Sequence, residues 1–183
     1  MNNSTTITSL DALASRYPAP RTSSHKKVHR FLTDPMKNWL QHSPFFILSS
    51  VTASGIDCSP RGDRPGEAFR VLDNQTIAIP DRRGNNRIDT LKNILADPRI
   101  GLVFLIPGVA EALRIKGVAS ISINPELLDT FRLDGDPPAT VILVSVEHAY
   151  VQNARATRAA DLWNAESYLQ SSQVPNATEL YDS

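Results

Sequence analysis

Phe45-Phe46-Ile47-Leu48-Ser49-Ser50-Val51-Thr52-Ala53, then Ser54-Gly55, then Ile56-Asp57-Cys58-Ser59-Pro60, marks where the chain changes from helix-compatible to strand-rich sequence. Apolar, aromatic and β-branched residues on either side of a Ser-Gly pair signal a β-hairpin. Towards the C-terminus, further strands are expected over Phe69 to Leu72, Gln75 to Ile79, Arg99 to Ile106, Ala112 to Ile123 and Thr140 to Val146. Pro- or Gly-containing breaks separate most of them. Such short connections favour an antiparallel meander or Greek key over parallel βαβ units.

Helices flank and interrupt these strands. Leu10 to Tyr17 makes a short helix that Pro18 and Pro20 end. Asp34-Pro35 reads as an N-cap with proline at the first helical position, opening a helix through Trp39 and Leu40 that stops before Pro44. Ile88, Leu91, Ile94 and Leu95 recur at helical spacing, which predicts a helix from about Arg87 to Ala96, before Pro98. A short helix follows Asn124-Pro125, and the segment Gln152 to Trp163 is helix-compatible. The organisation expected is a helical extension over residues 1–42 packed on a β domain over 43–163, with a polar tail over 164–183 that frays or drapes over a partner.

A chain of 183 residues accommodates one domain with a sizeable core. Its 19 acidic and 19 basic residues balance, which argues against a broad surface for nucleic acid or anionic membrane. Phosphate recognition must therefore be local. The single cysteine, Cys58, rules out an internal disulfide framework and a cysteine-built zinc site. The N-terminal stretch lacks a charged segment followed by an apolar one, and no segment is long and apolar enough to span a bilayer as a helix. A soluble, cytoplasmic protein is expected.

The most informative chemistry lies in Ile79-Pro80-Asp81-Arg82-Arg83-Gly84-Asn85-Asn86-Arg87, between a strand and the first turn of a helix. Helix N-termini present unpaired N–H groups and a partial positive charge, and arginine adds bidentate bonds to phosphate oxygens. The alternative is a solvated basic turn capped by Asn86. A second cluster, Ser59-Pro60-Arg61-Gly62-Asp63-Arg64-Pro65-Gly66, either sets Arg61 and backbone amides beside a planar ligand or forms a wide loop in which Asp63 and Arg64 pair in solvent. His25 and His29, four apart, have no evident third ligand, so no metal site is expected. The chain has no GxGxxG, no Walker A lysine and no GxSxG elbow. With no evident catalytic side chain, a cofactor is the expected source of reactivity.

In order along the chain, SPRGD with PG shortly after, IPDRRGNNRIDTLKNI, GLVFLIPG and EALRIKGVASI resemble the pyridoxamine 5′-phosphate oxidase-like family that binds flavin mononucleotide (FMN). Within that family they are most similar to a subgroup of FMN-dependent enzymes of unassigned substrate. The resemblance runs from about Ser43 to Trp163. It implies a mainly β fold with flanking helices, a six-stranded antiparallel split β-barrel, and a homodimer with two flavin sites at the interface. It also implies cofactor contacts from Arg61 and from the Pro80 to Arg87 loop, namely Pro80, Asp81, Arg82, Asn86 and Arg87. The family's C-terminal pattern is a histidine-cysteine pair, a lysine two residues on, and an arginine-serine pair before leucine-tryptophan. This chain reads Gln152-Asn153-Ala154-Arg155-Ala156-Thr157-Arg158-Ala159-Ala160-Asp161-Leu162-Trp163 there. Arg155 stands for the lysine and Trp163 is kept, so both join the expected cofactor contacts.

The function that follows is an FMN-dependent oxidoreductase acting on a small molecule. A flavin carrier or sensor without turnover is the alternative from another class, since one fold hosts both. An F420-dependent reductase is the enzymatic alternative. Oxidation of pyridoxamine phosphate itself is not expected, because that enzyme's substrate-phosphate residues have no placed counterparts.

Overall fold

In the computed structural model, which describes residues 5–19, 27–84 and 86–181, β1 (Phe45–Thr52) and β2 (Gly55–Gly62) form the expected hairpin. Its turn is Ala53-Ser54, since Thr52 pairs with Gly55. β2 also runs two residues past the expected Ile56 to Pro60, through Arg61-Gly62, so half of the Ser59 to Gly66 cluster is strand. Pro60 is tolerated because β2 is an edge strand, where a residue without an N–H need not break a ladder.

The remaining strands are β3 (Arg70–Val71), β4 (Thr76–Asp81), β5 (Arg99–Leu105), β6 (Ala112–Ser122) and β7 (Thr140–Gln152). All pair antiparallel, in the order β2-β1-β5-β6-β7-β4-β3. The sheet therefore has seven strands rather than six. Each matches an expected segment, β3 falling within Phe69 to Leu72, so the departure is from the six-stranded barrel that the resemblance implies; the hydrogen-bonded order leaves β2 and β3 as open edges. β7 continues six residues past the expected end at Val146, because Ala112 to Lys116 of β6 hold 148–152 in register. That extension displaces the helix expected from Gln152, leaving only α5 (Arg155–Ala159), as labelled below.

The open edges nevertheless approach each other. Phe46 of β1, Phe104 of β5 and Phe69, just before β3, pack with ring centroids 4.7–5.7 Å apart. Such pairs contribute about 0.5–1.5 kcal/mol each beyond their buried area. Leu48, Ile77, Ile79, Leu102, Leu113, Ile115, Ile142 and Val144 join the same core. Alternate residues of five strands thus share one apolar cluster, which requires the sheet to curl around it.

The helices are α1 (Leu10–Ala14), α2 (Asp34–Gln41), α3 (Asp89–Ala96), α4 (Pro125–Asp129), α5 and α6 (Ala177–Tyr181), with short 3-10 turns at Ala165–Ser167 and Ser171–Gln173. α1 buries none of its residues, whereas α2 inserts Met36 and Leu40 into the core. The cap of α2 is Thr33, whose hydroxyl accepts from the Met36 amide, one residue earlier than the Asp34 cap expected. α3 lies against β1, where Asn93 Nδ2 donates to the buried Ser50 hydroxyl at 3.0 Å. Asp97, just after α3, is bonded by Arg99, whose guanidinium lowers its carboxyl to about 2. α4 leads into Phe131, which packs on Ala78 and Val141 on the outer face of β4 and β7. β4 is thereby buried on both sides, and its C-terminal end is held firmly where the Asp81 to Arg87 segment departs.

A candidate arginine-lined cofactor cleft

Directly opposed residues of an antiparallel pair share a face, so Arg61, opposite Phe46, points to the concave side of the sheet. Its Nη1 donates to Asp81 Oδ2 of β4 at 3.0 Å, joining the two curled edges. The side chains are 27% and 15% exposed. Arg61 Nε is buried without a hydrogen-bond partner among the described residues, and so is the Thr140 hydroxyl opposite Asp81. Buried polar groups are normally satisfied, so such orphans mark a place where another group belongs.

A cleft of about 480 Å³ opens beside this pair. It is lined by 57–61 of β2, by 81–84 and 86–91 with the first turn of α3, and by Ala139. The volume lies within the range of small-molecule sites, roughly 300–1,000 Å³. Arg61, Asp81, Arg82, Asn86 and Arg87 all line it. Arg82 is anchored by a bond from Nη1 to the Phe131 carbonyl at 3.0 Å and by Asp63 at 3.7 Å. Arg87 Nε donates to Asp89 at 3.0 Å, and its side chain is 76% exposed.

The segment reaches α3 through unusual backbone. Asn86 and Ile88 have φ of 60° and 49°, a left-handed conformation that is rare for a β-branched residue and costs on the order of 1–3 kcal/mol. Ile88 is the residue before α3, and no side chain caps that helix. Asn86, the cap in the alternative reading of this turn, therefore does not cap α3. The helix also starts at Asp89 rather than Arg87, because the left-handed Ile88 breaks the helical path. The first turn of α3, Asp89 to Leu91, lines the cleft together with Arg82 and Arg87 and has no side-chain cap.

Three of the expected residues lie elsewhere. Pro80 is buried in β4, paired with Val141, and does not line the cleft. Arg155 and Trp163 follow the far end of β7 from Ala139 and Thr140. Trp163 Nε1 donates to the Val109 carbonyl at 2.8 Å and Thr157 Oγ1 to the Ala110 carbonyl, which pins this segment to the β5–β6 connection. His25 lies outside the described residues, and His29 pairs through its backbone with Ala149. The inner-face residues Asp57 and Ser59 of β2 and the connection 133–139 before β7 were missed. Their signals were the strand alternation continuing past Asp57 and the turn-forming run Asp134-Gly135-Asp136-Pro137-Pro138.

The curled antiparallel sheet with flanking helices, and an arginine-lined cleft beside β2, defines a mainly β protein. The family model for pyridoxamine 5′-phosphate oxidase matches residues 32–153, and the chain belongs to that family. Among solved structures it is similar to HupZ of Group A Streptococcus, at 20% identity over 64% of this chain and 91% of that chain, with a TM-score of 0.51. It is similar to a candidate pyridoxamine 5′-phosphate oxidase from Lactobacillus delbrueckii, at 19% identity over 67% and 95%, with a TM-score of 0.52. A further candidate from Listeria innocua matches at 16% identity over 66% and 97%, with a TM-score of 0.51. At these identities the likeness is one of fold. No curated protein matches the chain in sequence.

Proposed function

We propose that the chain is an FMN-dependent oxidoreductase of the split-barrel type, with the flavin in the arginine-lined cleft. The observation that carries this is the meeting of two sequence-marked segments, around Arg61 and over 81–87, in one cleft at an uncapped helix N-terminus. Family membership supports the cofactor class. Bound there, FMN would supply hydride transfer at its ring, as flavins do.

The residues have distinct tasks in this arrangement. Arg82, Arg87 and the first-turn amides of α3 suit the phosphate, as charge-assisted donors around a dianion. Arg61, held by Asp81, offers a fixed positive charge on the concave face. It would favour negative charge developing on a ligand placed against it, an electrostatic contribution prepared in advance. Reduction of the loaded protein by a nicotinamide cofactor, followed by reoxidation with a small-molecule acceptor, is the result expected of an enzyme. Bound flavin that accepts no electrons from such donors would favour the carrier.

Dimerisation belongs to the same proposal. β7 has 13 residues, so Arg155 emerges roughly 40 Å along the strand from Thr140. A contact from Arg155 or Trp163 to flavin is therefore better suited to a partner's cleft than to their own. Phe45, with Ile47 and Val51 on the outer face of β1 and Val103 on β5, forms an incompletely covered apolar surface for such an interface. Dilution of the loaded protein below its dimer constant should release flavin, since a ligand held by two subunits links assembly to binding. A flavin-loaded monomer after size-exclusion chromatography would refute the two-subunit site.

A further inference from the structure

The four arginines at the cleft differ in how their charge is met. Arg61 is paired with Asp81, Arg82 with Asp63 and the Phe131 carbonyl, and Arg87 with Asp89. Arg83 has no hydrogen bond or ion pair among the described residues. It lines both the first cleft and a second one of about 610 Å³, as do Ala139 and the ion-paired Arg82.

The second cleft is walled on its other side by 133–138. Leu133 and Asp136 exchange backbone hydrogen bonds at 3.0 Å, and Asp134 and Gly135 take φ of 51° and 93°, so this is a fixed tight turn followed by two prolines. The carboxylates of Asp134 and Asp136 line the cleft, and neither has an ion-pair partner among the described residues. Arg132, the nearest cation in sequence, is spent on Asp129 and the Gly135 carbonyl. Arg83, Asp134 and Asp136, all exposed and none ion-paired among the described residues, thus line one cavity together with Leu133 and Pro137.

From this opposition of unmet charges we infer that the second cleft is a subsite for a small zwitterion, whose anionic end meets Arg83 and whose ammonium end meets Asp134 and Asp136. A ligand of one sign would leave the opposite charge unanswered, whereas a zwitterion answers both. The subsite adjoins the cleft assigned to FMN and, resting on that assignment, is where a substrate would lie beside the flavin.

Calorimetric titration with aminohexanoate, hexanoate and hexylamine, on protein with and without FMN, tests this. Aminohexanoate should bind about two- to fivefold more tightly than either singly charged analogue, the scale of one exposed ion pair. Arg83→Gln should abolish its advantage over hexylamine. Asp134→Asn combined with Asp136→Asn should abolish its advantage over hexanoate while leaving FMN affinity as in the wild type. Equal binding of the three probes, or an advantage that survives both variants, would overturn the subsite. Aminohexanoate preference without FMN binding would support the subsite and sink the cofactor assignment alone.

Discussion

Replacing both Arg82 and Arg87 by alanine should weaken FMN by at least about a hundredfold while changing riboflavin affinity only a few-fold, because charge-assisted bonds contribute roughly 1.5–3 kcal/mol each. The two ligands differ only in the phosphate, so their ratio isolates the contacts in question. Arg82 should carry the larger share. Its side chain is 27% exposed and already fixed by the Phe131 carbonyl, whereas Arg87 is largely in solvent, where screening weakens an ion pair. Fluorescence titration of both ligands, with thermal melts to show that the variant is folded, gives the measurement. Equal losses for FMN and riboflavin would remove the phosphate from this loop.

The second large effect concerns the sheet that brings the loop to Arg61. Gly117 sits at the irregularity between Lys116 and Gly117, where β6 faces β7. A Cβ there would lie 2.0 Å from the Ser145 carbonyl oxygen and 3.0 Å from its carbon. That neighbour is backbone within the longest strand of the sheet, so it cannot swing aside as a side-chain tip would. Gly117→Ala should therefore destabilise by about 3 kcal/mol or more. Gly101→Ala in β5 is the matched control. Its Cβ would meet only Ser49 Cβ at 3.8 Å, an ordinary contact, and the change should be neutral or stabilising by up to about 1 kcal/mol. Urea denaturation of both variants separates the cases, and similar midpoints would contradict the steric account.

These two sites show what the sequence carries and what it hides. The hairpin at Phe45, the apolar face of α3 and the arginine-rich segment were legible because they depend on local pattern and residue chemistry. The continuation of β2 through Arg61-Gly62 was not legible, since Pro60, Gly62 and the charges around them suit a turn as well as an edge strand, and edge position is a property of the whole sheet. The length of β7 was hidden because Glu147 and His148 interrupt its apolar run, while Ala112 to Lys116 hold 148–152 by pairing across the sheet. At the cleft, residue types announced anion binding, but the Arg61–Asp81 contact joins positions 20 apart and exists only because the sheet curls. The left-handed backbone at Ile88 has no sequence signal, for it is imposed by the surroundings. The loop of Asp134 and Asp136 lacked a partner until folding set it beside Arg83.

The proposed function requires that this cleft hold FMN across a dimer. The decisive experiment adds FMN to the purified protein, removes the excess by gel filtration, and records the visible absorption of the eluted species. Oxidised-flavin bands on a species of dimer size are predicted. Complete loss of FMN from the protein peak would contradict the claim and return the arginine segment to a solvated turn.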